Sequence, residues 1–142
     1  MLLTKWTLIA LTYINIPYSW GGQTYLGLDC SGMIIKMFHD GGVTLPDMTV
    51  KQIYQWALDQ KSFYECEPMD EPDCLLFFGK DPETLTHIEL SLGEGLMVGA
   101  SGAGKNSLTM TPEELAIKDA RVKIKPISTR RNLFSSIKIG AM

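Results

Sequence analysis

The chain is poor in the residues that build metal and redox centres, with three cysteines and two histidines among 142 residues. Cys30, Cys66 and Cys74 are odd in number and irregular in spacing, which argues against a disulfide framework and leaves at least one thiol free. Cys66 and Cys74 lack the spacing of a zinc pair and His39 falls in a polar helix end, so no metal and no cofactor is expected. A basic stripe interleaved with aromatics is also missing. The net charge is -3 and the single cationic cluster lies near the C-terminus, which excludes a nucleic-acid partner. No membrane span is expected. The opening residues, Met1 to Ala10, are interrupted by Thr4, Lys5 and Thr7, and no small-residue cleavage site follows before Tyr18. The expectation is a protein made in the cytoplasm without a signal peptide. Internal repeats and low-complexity segments are absent too. With 45% hydrophobic and 20% charged residues, the chain suits one domain over residues 1–142.

What is there is concentrated in Tyr18-Ser19-Trp20-Gly21-Gly22-Gln23-Thr24-Tyr25-Leu26-Gly27-Leu28-Asp29-Cys30-Ser31-Gly32. A glycine-rich loop runs into a cysteine just as Met33, Ile34, Met37 and Phe38 begin to recur at helical spacing, so a helix starts at or next to Cys30. Unpaired N–H groups and the helix dipole at such a start favour thiolate over thiol. Alone, this pattern also describes a small buried residue in a turn. A partner base decides between the two.

His87 supplies it. In Leu85-Thr86-His87-Ile88-Glu89-Leu90-Ser91-Leu92, strict alternation puts Ile88, Leu90 and Leu92 on one face of a strand and His87, Glu89 and Ser91 on the other. Gly93-Glu94-Gly95 breaks the run and Leu96-Met97-Val98 resumes it, which predicts an antiparallel hairpin. A cysteine at a helix start and a histidine on a distant strand suit thiol–imidazole chemistry. The histidine takes the thiol proton and later protonates the leaving group.

The remaining elements frame this pair. Leu2, Leu3, Trp6, Ile9, Ala10, Tyr13 and Ile14 predict an amphipathic helix over residues 3 to 14, and the Cys30 helix is expected to stop near Gly41-Gly42. Thr49-Val50-Lys51-Gln52 reads as a capping box opening another helix. Residues 65 to 73 form an acidic, proline-punctuated loop before a central strand, Cys74-Leu75-Leu76-Phe77-Phe78. Thr111-Pro112-Glu113-Glu114 caps a helix to about Ala120, Val122 to Pro126 alternates as an edge strand, and Arg130-Arg131 reads as a solvated turn. Gly99 to Asn106 nearly matches a phosphate-cradling loop, but Asn106 stands where Ser or Thr is required and no helix begins at Lys105. A flexible loop is the better reading there.

Pro17-Tyr18-Ser19-Trp20-Gly21-Gly22, Leu28-Asp29-Cys30-Ser31-Gly32, Leu45-Pro46, Cys74 to Gly79 and Thr86-His87-Ile88 together resemble the NlpC/P60 family of cell-wall cysteine peptidases. The resemblance implies an α+β, papain-like fold, with N-terminal helices packed on an antiparallel β-sheet. It implies Cys30 as nucleophile and His87 as general base. Tyr18, Asp29 and Ser31 match positions on the substrate side of the cleft, the latter two holding the free amino end of a peptidoglycan stem peptide. Each also has a local role open to it: Tyr18 covering the helix end, Asp29 capping it, Ser31 bonding backbone. Trp20 reads as core.

Two departures stand out. The family places a polar orienting residue, commonly histidine, across the hairpin, where this chain has Gly99, and glycine where this chain has Glu89. Glu89, about 7 Å along the strand on His87's face, could bend back to hold the imidazole. A backbone carbonyl, water, Ser101 or Asn106 could do so instead, or the site could be weakened. The expected activity is cleavage of the amide between D-glutamate and the diamino acid of the stem, with no cofactor. The alternatives are a non-catalytic phage tail, assembly or binding module, or a thiol acyltransferase. Lacking an export signal in its sequence, the chain is expected to reach the cell wall through a phage tail or a delivery apparatus.

Overall fold

The computed structural model describes residues 3–142, so Leu2 lies outside the described residues. Helix α1 (Lys5–Leu11) starts where the Thr4 hydroxyl accepts the Thr7 N–H, and buries Trp6 and Ala10. It is shorter than expected. Leu3 is exposed, and beyond Leu11 the Thr12 hydroxyl bonds back to the Ile9 carbonyl before Asn15 turns the chain at φ 75°. Strands β1 (Gln23–Thr24) and β2 (Gly27–Leu28) form a small hairpin inside the glycine-rich loop.

Helix α2 (Cys30–Asp40) begins at Cys30 as the spacing predicted, capped by Asp29 and ended by Gly41-Gly42. Its Met33, Ile34, Met37 and Phe38 are fully buried. Helix α3 (Val50–Asp59) carries the predicted box, Thr49 and Gln52 each bonding the other's backbone N–H.

The sheet comprises β3 (Tyr64–Glu65), β4 (Pro72–Gly79), β5 (Leu85–Gly93), β6 (Leu96–Ser101), β7 (Arg121–Pro126) and β8 (Leu133–Lys138), with helix α4 (Pro112–Ile117) between β6 and β7. Its order is β3-β8-β4-β5-β6-β7 and every pairing is antiparallel. The fold is therefore α+β, with the helices against the face that carries Leu75, Phe77, Ile88, Leu90 and Val98. Alternation sends Cys74, Leu76, Phe78 and Met97 to the other face, where a smaller apolar cluster gathers with Ile127. His87, Glu89 and Ser91 share that second face, being opposite Phe78, Leu76 and their neighbours on β4.

Four sequence expectations change. Cys66 and Cys74 form a disulfide, leaving Cys30 as the free thiol. Strand β8 explains the disulfide: Cys66 N–H bonds the Ser136 carbonyl on one side of it, and Cys74 pairs with Lys138 on the other. The acidic segment is not all loop, because Glu65 joins β3 and Pro72-Asp73 join β4. Past Gly102, the near-match to a phosphate loop becomes a 3-10 turn, Gly104–Thr109, while α4 stops at Ile117.

Candidate active site

A cleft of about 730 Å³ opens where the start of α2 meets β5, lined among others by Tyr18, Trp20, Asp29, Cys30, Ser31 and His87. Cys30 reaches it because Asp29 caps the helix, its Oδ1 accepting the Gly32 N–H at 2.7 Å and its Oδ2 the Gly21 N–H at 2.7 Å. Gly32 is required there, since a Cβ would lie 1.9 Å from the Gly22 carbonyl oxygen. The capping role open to Asp29 is thus realised, while its carboxylate still borders the cleft. The Ser31 hydroxyl donates to Asp29 at 3.3 Å. Tyr18 is buried, and burial, then the neighbouring Cys30 and Asp29, push its phenol well above the ordinary range.

The thiolate expected from the helix start is not the resting form. Burial pushes the Cys30 thiol up to about 11, helped by the Asp29 carboxylate, and outweighs the opposing N–H groups of Ile88 and Ser31. His87 is also buried. That burial holds its imidazole below the ordinary 6.5, with Arg130 and Lys125 acting the same way and Glu89 opposing. Both partners are therefore neutral at pH 7.

The ring is held by Glu89. His87 Nε2 lies 2.7 Å from Glu89 Oε2, with both side chains buried. Burial works against the Glu89 charge, but the hydrogen bond from His87 and the ammonium of Lys125, 3.1 Å from Oε2, outweigh it and hold the carboxyl below its usual range. An ionised acceptor fixes the neutral ring as the Nε2–H tautomer, leaving Nδ1 as the free base.

Gly99 does not face His87 as the sequence suggested. The hairpin turns about Glu94 and pairs Leu90 with Val98, so one step further places Gly99 beside Glu89 and His87 at the level of Ser101. A Cβ at Gly99 would stand 2.5 Å from Glu89 Cγ and 2.7 Å from its Cδ and Oε1. The missing side chain is the space in which the carboxylate sits. Of the other candidates for this contact, Ser101 is engaged by Lys125 Nζ at 3.0 Å and Asn106 is exposed.

Two cleft residues escaped the sequence reading. Trp20, expected in the core, is half-exposed at 48%, its backbone N–H held by Ser107 Oγ at 2.8 Å. Arg130, read as a solvated turn, lines the cleft with its guanidinium 5.7 Å from the Phe78 ring centre. Nothing local marks it. The 3-10 turn Ile127–Thr129 that brings it there has no apolar repeat of its own.

A helix headed by a cysteine, packed on an antiparallel sheet that carries a histidine, defines a papain-like α+β domain. The chain belongs to the NlpC/P60 family, whose profile matches residues 15–124. It is 35% identical over 98 residues to the bifunctional muramidase/DL-endopeptidase CwlT of Bacillus subtilis, covering 67% of this chain and 28% of CwlT. The chain thus spans about a quarter of the length of that relative. The fold is shared with the peptidoglycan hydrolase RipB of Mycobacterium tuberculosis (TM-score 0.65, 23% identity, 95% of this chain and 62% of that one). It is shared equally with RipD of the same organism, described as a non-catalytic NlpC/P60 domain protein adapted to peptidoglycan binding (TM-score 0.64, 18% identity, 97% and 98%).

Proposed function

We propose that this chain is a cysteine endopeptidase that cuts peptidoglycan stem peptides at the amide between D-glutamate and the diamino acid. The observation that carries the reading is the Cys30–His87 pair in one cleft with a buried carboxylate on the far nitrogen of the imidazole. CwlT, named a DL-endopeptidase, supports the bond class.

The chemistry starts from neutral partners. As the Cys30 sulfur attacks the amide carbonyl, its proton passes to His87 Nδ1, and the imidazolium formed is stabilised by Glu89 through Nε2–H. Backbone N–H groups at the start of α2 receive the oxyanion. Collapse expels the amine, which takes the proton from His87, and leaves an acyl-thioester on Cys30. Water then attacks the thioester, losing its proton to the same ring, and the thiol is restored.

Tyr18, Asp29 and Ser31 border the acyl side of the cleft and receive the free amino end of the stem peptide, opposite the Asp29 carboxylate. Arg130 forms no ion pair among the described residues, so its charge is available to an anionic substrate group.

The likeness to RipD motivates a second reading, a wall-binding domain without catalysis. Incubating the protein and its Cys30→Ala variant with purified peptidoglycan, and identifying released fragments by mass spectrometry, separates the two. Fragments released only with Cys30 intact support the peptidase and name the bond. Binding without release supports the second reading.

A further inference from the structure

We propose that Lys125 is a positioning residue for this site: its ammonium, reaching from β7, pins the Glu89 carboxylate in the space left by Gly99 and thereby fixes the orientation of the His87 ring. The proposal rests on Cys30 and His87 as the reacting pair and concerns a residue two strands away from the histidine.

The geometry is a chain of contacts. Lys125 Nζ lies 3.1 Å from Glu89 Oε2 and donates to Ser101 Oγ at 3.0 Å, and the same Oε2 accepts from His87 Nε2 at 2.7 Å. Oε1 of Glu89 is buried without a hydrogen-bond partner among the described residues, so the carboxylate is held from the Oε2 side alone. A flexible glutamate has three torsions by which to leave that place. Losing the ammonium removes the cation that offsets a fully buried charge. Lys125 is itself mostly covered, its side chain 19% exposed, so bulk screening weakens the contact little.

The groups facing this cluster are few. Cys30 and Asp29 face it from the start of α2, the Phe78 ring from β4, and Arg130 from the turn before β8. Of these Arg130 carries a positive charge and, like Lys125, opposes protonation of His87, while Arg121 and Lys123, on the Lys125 face of β7, are paired with Asp119. The Glu89 hydrogen bond and charge raise the His87 pKa and outweigh the Lys125 charge that lowers it, so freeing the carboxylate by removing Lys125 moves the His87 titration to lower pH, while Lys125→Arg leaves it nearly in place.

The test compares Lys125→Met, Lys125→Gln and Lys125→Arg in the whole chain. Lys125→Gln keeps a donor for Ser101 and stands in if the methionine variant does not fold. In fragment-release assays the uncharged variants are expected to lose about tenfold in kcat with KM nearly unchanged, and the acidic limb of kcat/KM should move down in pH. In a Glu89→Gln background the same change should cost nothing more, because Lys125 acts through Glu89. Independently of turnover, nitrogen-15 NMR of the His87 ring should show the downward titration shift in the uncharged variants and its reversal in Lys125→Arg. An unmoved or upward-shifted His87 titration in Lys125→Met or Lys125→Gln overturns the proposal, because an upward shift is what loss of the charge gives when Glu89 stays in place. If the native protein releases no fragments yet the titration shifts as described, the peptidase reading falls and the role of Lys125 stands.

Discussion

Glu89 and Gly99 make sense only together. One puts a carboxylate on the strand of the histidine; the other, across the hairpin, empties the volume it needs. Gly99 has no positive φ, so its backbone tolerates a side chain, and the demand for glycine there is steric. Gly99→Ala should therefore displace Glu89 rather than strain the loop. The expected stability cost is about 1–3 kcal/mol, typical of overpacking. The expected loss in kcat is about tenfold to a hundredfold, below the roughly 10⁴-fold cost of replacing the orienting aspartate of a serine triad. In a Glu89→Gly background the alanine should be tolerated, because the clash is gone. Steady-state kinetics on the four combinations checks this, and equal losses from Gly99→Ala in both backgrounds would show that the glycine serves something other than Glu89.

At the level of elements, helix α2 and the β5–β6 hairpin could be read from the chain, since both are local patterns: apolar spacing after Asp29-Cys30, and alternation broken by Gly93-Glu94-Gly95. Strand β8 could not. Its exposure does not alternate, Leu133 and Phe134 are both solvent-facing, and its place between β3 and β4 is set by pairing with residues some sixty positions earlier. The same pairing accounts for the unforeseen disulfide, because only β8 brings Cys66 beside Cys74. Glu89 was legible as a candidate from its face, but its partner Lys125 was not, because it meets Glu89 through β6–β7 pairing, and Arg130 reaches the cleft only through a turn. The disulfide has a direct check. The oxidised protein, once unfolded, should present one titratable thiol, and three after reduction. Replacing Cys66 and Cys74 by serine should lower stability by about 2 kcal/mol, the order for a loop of this length. Three titratable thiols in the oxidised protein would remove the bridge from the fold.

For the whole molecule, buried His87, Glu89 and Cys30 make the stability of the fold depend on pH. His87 has its pKa depressed below 6.5 by burial, so between those values the unfolded chain binds more protons than the native one, and stability is lost as pH falls below about 6.5. Glu89, lowered below 4.5, adds a further loss at lower pH. Cys30 behaves in the opposite sense. Its thiol is raised from 9.0 to about 11, so the native state keeps a proton that the unfolded chain releases, and stability falls as pH rises through that window. Stability should therefore form a plateau between about pH 6.5 and 9 with a fall on each side, measured as Tm against pH. Cys30→Ala should remove the Cys30 contribution on the alkaline side and leave the acidic one. The same protonation states fix reactivity. A resting thiolate–imidazolium pair would alkylate with iodoacetamide readily at pH 5–7, whereas a neutral pair alkylates slowly there and accelerates toward the thiol pKa near 11. Slow alkylation at neutral pH together with Cys30-dependent fragment release is the expected combination, and it would mean that substrate binding, not the helix start alone, activates the thiol. Rapid alkylation at pH 5–7 would show instead that the charged pair is the resting state and that Cys30 adds nothing to the alkaline fall.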